Sequence, residues 1–125
     1  MDIILSNSSG EPIYQQIVAQ IKGHIMSGRL SAGDALPSMR LLAQQLRISV
    51  ITTKRAYDEL ERSGFIYTIP GKGSFVAAKN AQLLREEHLK QIEEHMTAIR
   101  SLAQSAGISR EEVLEMWDLM WEESK

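Results

Sequence analysis

Hydroxyl-bearing and basic side chains are concentrated at three places in the first part of the chain, where their types and spacing are suited to binding an anion. Ser38 and Arg40 stand at the start of one helical pattern, and Lys72 lies between Gly71 and Gly73 in a turn. The richest group opens the next helical pattern and consists of Ser49, Thr52, Thr53, Lys54 and Arg55. Lys and Arg bind phosphates, free N–H groups at a helix N-terminus donate to them, and Arg can also bind guanine through two hydrogen bonds. These residues are therefore the candidate nucleic-acid contacts.

Each of these positions also has a structural interpretation. Ser38 is equally suited to capping its helix, and a glycine-rich turn serves any β-hairpin. Lone Lys and Arg side chains usually form a solvated helix face, and Arg55 can turn toward Glu59 four residues later. The basic cluster at the helix start favours contact with a nucleic acid. The available Arg55–Glu59 pair makes Thr52 and Lys54 the favoured contacts.

The charge of the chain is unevenly distributed. The net charge is −2, but residues 1–79 carry nine Lys or Arg against six Asp or Glu, which gives them +3 and leaves −5 for the remainder. A basic part and an acidic part indicate two roles, one of them the binding of a polyanion.

The composition disfavours several classes of chemistry. The chain has no cysteine, which excludes disulfides and thiolate metal sites. His88 and His95 are seven residues apart rather than the four typical of a metal pair on a helix. We expect no metal, no cofactor and no enzyme, since no nucleophile–base pair is evident either. No apolar run approaches the ~20 residues of a membrane span or forms a signal peptide, so we expect no membrane partner and a cytoplasmic location.

Hydrophobic periodicity and capping signals predict the elements that position the candidate contacts. Helices are expected at 12–27, at 39–46 and from a Ser49 cap to residue 63, followed by strands at 65–69 and 74–76. This order is typical of a winged helix-turn-helix. The predicted fold class is therefore mainly α with a small β-hairpin. The third helix would be the recognition helix, with its N-terminal residues at base edges in the major groove.

The residues after the hairpin predict two further helices with apolar stripes. The first runs from Ala81 to about Ala106 with a heptad seam, and the second follows Ser109, which forms a capping box with Glu112. The stripe residues expected to pair two chains into a homodimer are Leu89, Ile92, Met96, Ile99, Val113, Met116, Trp117, Met120 and Trp121. Because two helices cannot bury such stripes in one chain, we predict a DNA-binding domain at 1–79 and a helical dimerisation element at 80–125.

Four fragments of the first part of the chain carry a family resemblance. They are Pro-Ile-Tyr-Gln-Gln-Ile at 12–17, Leu-Pro-Ser-Met-Arg-Leu-Leu-Ala at 36–43, Arg-Ala-Tyr-Asp-Glu-Leu-Glu at 55–61 and Gly-Lys-Gly-Ser-Phe-Val at 71–76. In this order and spacing they resemble the DNA-binding domain of the GntR family of bacterial regulators. The short tail resembles the YtrA subfamily, in which two helices replace a larger effector-binding domain.

The resemblance implies a dimeric repressor or activator of double-stranded operator DNA, and YtrA-like regulators often control genes for transport systems. Because a two-fold dimer requires a two-fold operator, we expect the operator to be an inverted repeat. The family also has an Arg at the position of Arg40, at the start of the second helix. Two departures stand out. Val50 and Ile51 replace residues that are often polar, and Arg47 replaces a common glycine, where a left-handed conformation would cost roughly 1 kcal/mol.

Two other classes of function compete with a dimeric transcription factor. A ligand-gated sensor would bind a small molecule between the tail helices, but a tail of this length has little room for a pocket unless a dimer supplies it. No effector is implied by the residues. An adaptor that binds protein through the same fold is favoured only by apolar Val50 and Ile51.

Overall fold

The computed structural model describes residues 1–78 and 80–123. The chain divides into two compact units, and the division falls between Ala81 and Gln82. The residue at the predicted domain boundary, 79, and the last two residues of the predicted second domain lie outside the described residues. Each unit is described by itself.

The first unit opens with helix α1, Ile13–Met26. Pro12 is its N-cap residue, with a φ of −55° and a ψ of 145°, so the helix begins one residue later than the predicted range of 12–27. Gly28 follows it with a φ of 84°, a left-handed conformation that favours glycine. Isoleucines at four-residue spacing form the inner face of α1, and Ile17, Ile21 and Ile25 are buried. The four-residue pattern therefore predicted both the helix and its buried side.

Helices α2 (Met39–Leu46) and α3 (Val50–Arg62) form the helix-turn-helix. Ser38 caps α2 by accepting a hydrogen bond from the Leu41 N–H at 3.1 Å, and Ser49 caps α3 in the same way from Thr52 at 3.1 Å. Arg47, between the two helices, has a φ of 57° and a ψ of 47°. Among the described residues other than glycine, it alone has a positive φ. The tight turn is therefore made at a position where an L-residue is strained.

Strands β1 (Ile66–Ile69) and β2 (Gly73–Val76) form the hairpin, or wing. They pair antiparallel, with Ile66 opposite Val76 and Ile69 opposite Gly73. The Lys72 N–H donates to the Ile69 carbonyl at 2.9 Å and closes the turn, in which Gly71 has a φ of 79°. The outer edge of β2 bonds to the loop before α2, through the Leu36 N–H to Ser74 O and the Val76 N–H to Asp34 O, both at 2.9 Å. The wing is thereby attached to the helix-turn-helix.

Helix α3 is the centre of the core, since it packs against α1, α2 and β1. The helical spacing of Ala56, Tyr57 and Leu60 predicts that they share the inner face of α3, and all three are buried. The Tyr57 hydroxyl donates to the Pro37 carbonyl at 2.7 Å, and burial raises the pKa of that hydroxyl above its usual range. The apolar pattern of α2 predicts an inner face made of Leu41, Leu42, Ala43 and Leu46, and Leu42 and Ala43 are buried. Leu41 is 46% exposed, so the prediction is wrong for that residue.

The second unit contains helix α4 (Ala81–Ala106), apart from its first residue, and helix α5 (Arg110–Glu123). Gly107 ends α4 with a φ of 71°, and the Ile108 N–H donates to the Ala103 carbonyl at 2.9 Å. Ser109 accepts a hydrogen bond from the Glu112 N–H at 3.2 Å, as the capping box predicts. Neither helix has a buried residue, although both carry apolar stripes.

Candidate nucleic-acid interface

The exposed N-terminal turn of α3 holds the hydroxyl groups of the candidate interface. Ser49 is exposed and Thr52 is half-buried. The two hydroxyls are 2.9 Å apart, while Ser49 also accepts from the Thr52 N–H. The cap therefore fixes the position of the Thr52 hydroxyl at the start of the helix, where free N–H groups also point outward. This arrangement can donate to an anion or to a base edge.

Thr53 does not belong to this surface, and the expectation that its side chain contacts DNA is wrong. Its side chain is completely buried and its hydroxyl donates to the Ser49 carbonyl at 3.2 Å. Thr53 precedes Tyr57 and Leu60 by four and seven residues, so helical spacing puts it on the core face of α3. That spacing was the signal in the sequence that could have excluded it.

Lys54 forms an ion pair that the sequence did not suggest, and Arg55 does not form the pair that it did. The Lys54 ammonium forms an ion pair with Asp58 at 2.7 Å, with the Lys54 side chain 62% exposed. Arg55 does not pair with Glu59, which instead accepts from Arg62 at 2.8 Å. An exposed pair at i, i+4 contributes only about 0.3–0.5 kcal/mol, so Asp58 competes with a phosphate for Lys54 without excluding it.

The Arg55 guanidinium lies on the aromatic ring of Tyr14, 3.8 Å from the ring centroid. Tyr14 belongs to the first turn of α1, and Gln15 donates to its hydroxyl at 3.2 Å. The stack holds an exposed guanidinium at the recognition helix without occupying its N–H groups with a carboxylate. The expectation that Lys54 rather than Arg55 contacts DNA depends on an Arg55–Glu59 pair, and that pair does not form. Arg55 is the better presented of the two cations.

Tyr14 is a candidate site residue that sequence reasoning missed. It is 41 positions before Arg55, and no local spacing connects the two. Only the packing of α1 against α3 brings them together. The tyrosine was part of a family-like fragment, but nothing in that fragment indicated its contact.

Arg40 and Lys72, together with the cap residue Ser38, are exposed on the first unit. Ser38 is engaged as the cap of α2, which confirms its structural role and leaves its second hydroxyl lone pair and its O–H available. Lys72 stands at the wing tip between two glycines with positive φ. Because Arg40 and Lys72 are already exposed, each can contact a phosphate without first moving out of the core.

Two exposed apolar residues stand at the N-terminal end of α3. Val50 is 45% exposed and Ile51 is 81% exposed. Ile51 lies at an open depression of about 400 Å³ on the outer side of α3. The other residues that line it are Tyr14, Lys54, Arg55, Asp58, Glu59 and Arg62.

The described part of the chain contains neither a cluster of metal ligands nor a membrane-spanning helix. Within residues 1–78 and 80–123, no three His, Asp or Glu side chains lie close enough to hold a metal ion. The same residues form no helix with the length and apolar character needed to cross a membrane.

Comparison with known proteins identifies the fold and its family. Residues 13–76 match the family model described as bacterial regulatory proteins, gntR family. The chain belongs to the GntR family. It is 36% identical to the HTH-type transcriptional repressor YtrA of Bacillus subtilis (strain 168) over 107 residues, which cover 86% of this chain and 82% of the relative. The GntR match and this relative confirm the resemblance drawn from the four fragments.

Solved structures agree with the GntR assignment. A transcriptional regulator from Oenococcus oeni is 32% identical, with a TM-score of 0.76, and the match covers 94% of this chain and 97% of that one. The AraR DNA-binding domain in complex with operator ORX1 is 26% identical, with a TM-score of 0.55, and the match covers 62% of this chain and 96% of that one. The chain is thus a winged helix-turn-helix member of a family of DNA-binding transcriptional regulators, and its relatives are regulators rather than enzymes.

Proposed function

We propose that this chain is a homodimeric transcriptional repressor that binds an inverted-repeat operator. The observation that carries the proposal is the outer face of α3, which presents Arg55 on Tyr14 beside Lys54 and the capped Thr52 hydroxyl. Helices of this type enter the major groove with their N-terminal residues at base edges. Two relatives support operator binding and repression as the function. The DNA-binding domain of AraR was solved in complex with an operator, and YtrA is named a transcriptional repressor.

Three further groups would position the protein on the DNA backbone. Arg40 at the start of α2 and Lys72 at the wing tip supply charge, and Ser38 supplies a hydroxyl beside the N-terminus of α2. The wing turn, with Gly71 and Gly73, lets the backbone approach DNA closely. Phosphate contacts of this kind fix register and orientation, while the recognition helix reads the sequence.

Dimerisation through the tail is supported by the exposure of its apolar residues. The seam residue Ile92 is 52% exposed and Trp117 is 47% exposed. Most other residues of the predicted stripes are also exposed, namely Leu89, Met96, Ile99, Met116, Met120 and Trp121, whereas Val113 is half-buried. An apolar surface of this extent on a single chain indicates a partner surface, and a heptad seam fits a second copy of the same helix.

The tail leaves the effector undefined. Trp117 and Trp121 contact each other edge to face, with ring centroids 5.8 Å apart. At four-residue spacing this contact fits packing within an apolar stripe better than a ligand site. We infer a regulator that works in the cytoplasm, where its operator lies, with or without a small-molecule effector.

The decisive experiment is selection of bound duplexes from a random DNA pool, followed by footprinting. A two-fold dimer should select an inverted repeat with half-sites roughly 10 bp apart, centre to centre, and protect both. Recovery of no preferred sequence, or protection of single asymmetric sites only, would contradict the proposed function.

A further inference from the structure

Ile51 is the apolar side chain on α3 whose exposure neither folding nor phosphate binding explains. It is 81% exposed, more than Val50 at 45%, and it stands in the first turn of the helix. Its side chain contributes little to the core. Three and four residues later on the same face stand Lys54 and Arg55, the cations of the proposed interface.

The surroundings of Ile51 argue against a protein partner. The depression beside it is lined by Tyr14 and by charged side chains: Lys54, Arg55, Asp58, Glu59 and Arg62. Stable protein interfaces have an apolar centre that is depleted in charged residues, and they usually bury more than about 1,000 Å². A single isoleucine among cations and carboxylates lacks that centre.

The major groove offers one apolar group at a base edge, which is the 5-methyl group of thymine. An aliphatic side chain in the first turn of a recognition helix can contact that methyl but cannot hydrogen-bond a guanine or cytosine edge. We propose that Ile51 is a specificity-determining residue that reads a thymine in each half-site through its 5-methyl group. This inference rests on the proposed function, because it requires α3 to lie in the major groove.

Replacement of thymine by uracil tests the contact, because uracil keeps the base pair and lacks only the methyl group. The probe is the duplex selected from the random pool, with each thymine replaced singly and then in both half-sites. Loss of one buried methyl contact lowers affinity about four-fold. We expect this loss at one thymine per half-site and about a fifteen-fold loss when both symmetric thymines are replaced.

Two variants of the full chain assign the contact to its residue. Ile51→Ala should bind the thymine and uracil duplexes equally, since it no longer reaches the methyl group. Val50→Ala is the matched control, since it also truncates an aliphatic side chain in the same helical turn, and it should keep the four-fold preference for thymine. Because Ile51 is exposed, the helical content of its variant should equal that of the unaltered protein, and the uracil scan itself requires no variant.

The outcomes separate this inference from the function on which it rests. Selection of an operator in which no thymine is sensitive to uracil, or a preference that persists in Ile51→Ala, would overturn the assignment and leave the DNA-binding function standing. Selection of no DNA would overturn both. A preference that disappears in Ile51→Ala and survives in Val50→Ala supports the inference.

Discussion

The guanidinium of Arg55 illustrates how the interface limits the freedom of a long side chain. A flexible arginine loses rotamer entropy when it binds, and a group that is held beforehand loses less. The ring of Tyr14, 3.8 Å from the guanidinium carbon, holds Arg55 through contact with its face. The N–H groups at the edge of the guanidinium stay available for a base or a phosphate.

The contact predicts that Tyr14 acts through Arg55. Tyr14→Ala should weaken operator binding two- to five-fold per protomer, since an exposed cation–π contact contributes about 0.5–1 kcal/mol. Tyr14→Phe retains the ring and should bind almost as the unaltered protein does. The measurement is a double-mutant cycle with Arg55→Ala on one operator duplex. If Tyr14→Ala weakens binding equally when Arg55 is absent, the tyrosine contacts DNA by itself and the positioning role is refuted.

Arg40 and Lys72 should be distinguishable from Thr52 by their response to salt. If each cation anchors one phosphate per protomer, Arg40→Ala or Lys72→Ala removes two contacts from a dimer. The slope of log K against log salt should then flatten by about 1.8. Thr52→Ala should lower affinity with the slope almost unchanged, because a hydroxyl releases no counterion. Titrations at several salt concentrations measure both quantities.

A control for these variants follows from the burial of Thr53. Thr53→Ala changes a side chain that is completely buried, so it should lower the free energy of unfolding. The slope of log K against log salt for operator binding should stay almost unchanged. Unaltered operator affinity in Arg40→Ala, Lys72→Ala and Thr52→Ala, with intact helical content, would show that another face of the unit binds DNA.

At the scale of the elements, the turn between α2 and α3 combines two caps with one strained residue. Ser38 and Ser49 each satisfy a free N–H group, and these caps set where the two helices begin. Arg47 reverses the chain between them in the left-handed region. The fold thus tolerates a locally unfavourable residue because the packing of α2 against α3 requires that turn.

The strain at Arg47 predicts a stabilising substitution. A left-handed conformation costs an L-residue roughly 1–2 kcal/mol, and glycine loses about 0.5–1 kcal/mol through its freer unfolded chain. Arg47→Gly should therefore raise the free energy of unfolding by about 0.5–1 kcal/mol. Arg47→Ala, which keeps the Cβ atom, is the matched control and should give no gain. Denaturant titration compares the two, and equal stabilities would show that the turn is unstrained.

At the scale of the whole molecule, helices α4 and α5 of the second unit carry apolar stripes, and neither helix has a buried residue. Helices that are exposed on all sides gain little from tertiary packing, so their stability in water depends on covering these stripes. A two-fold dimer would cover them and would also place two recognition helices on one inverted repeat. The proposed dimer therefore connects the stability of the tail to the form of the operator.

Placing a charge in the seam should separate the protomers. Ile92→Glu puts a carboxylate where the proposed dimer buries an aliphatic side chain, and we expect a monomer at micromolar concentration with much weaker operator binding. Ser101→Glu adds the same charge on the opposite side of α4 and should remain dimeric. Sedimentation measures both variants and the unaltered chain. A monomeric unaltered chain would refute dimerisation through the tail.

The sequence by itself determined the helices, the hairpin and the family, because these depend on neighbouring residues. Ser38, Ser49 and Gly107 act on groups within a few positions, and the isoleucines of α1 repeat at the helical period. Tertiary structure decided which side chains the site presents. Tyr14 lies beside Arg55 only because α1 packs against α3, and Leu41 is exposed because α2 buries other residues. Such contacts join residues far apart in the chain, and no local pattern encodes them.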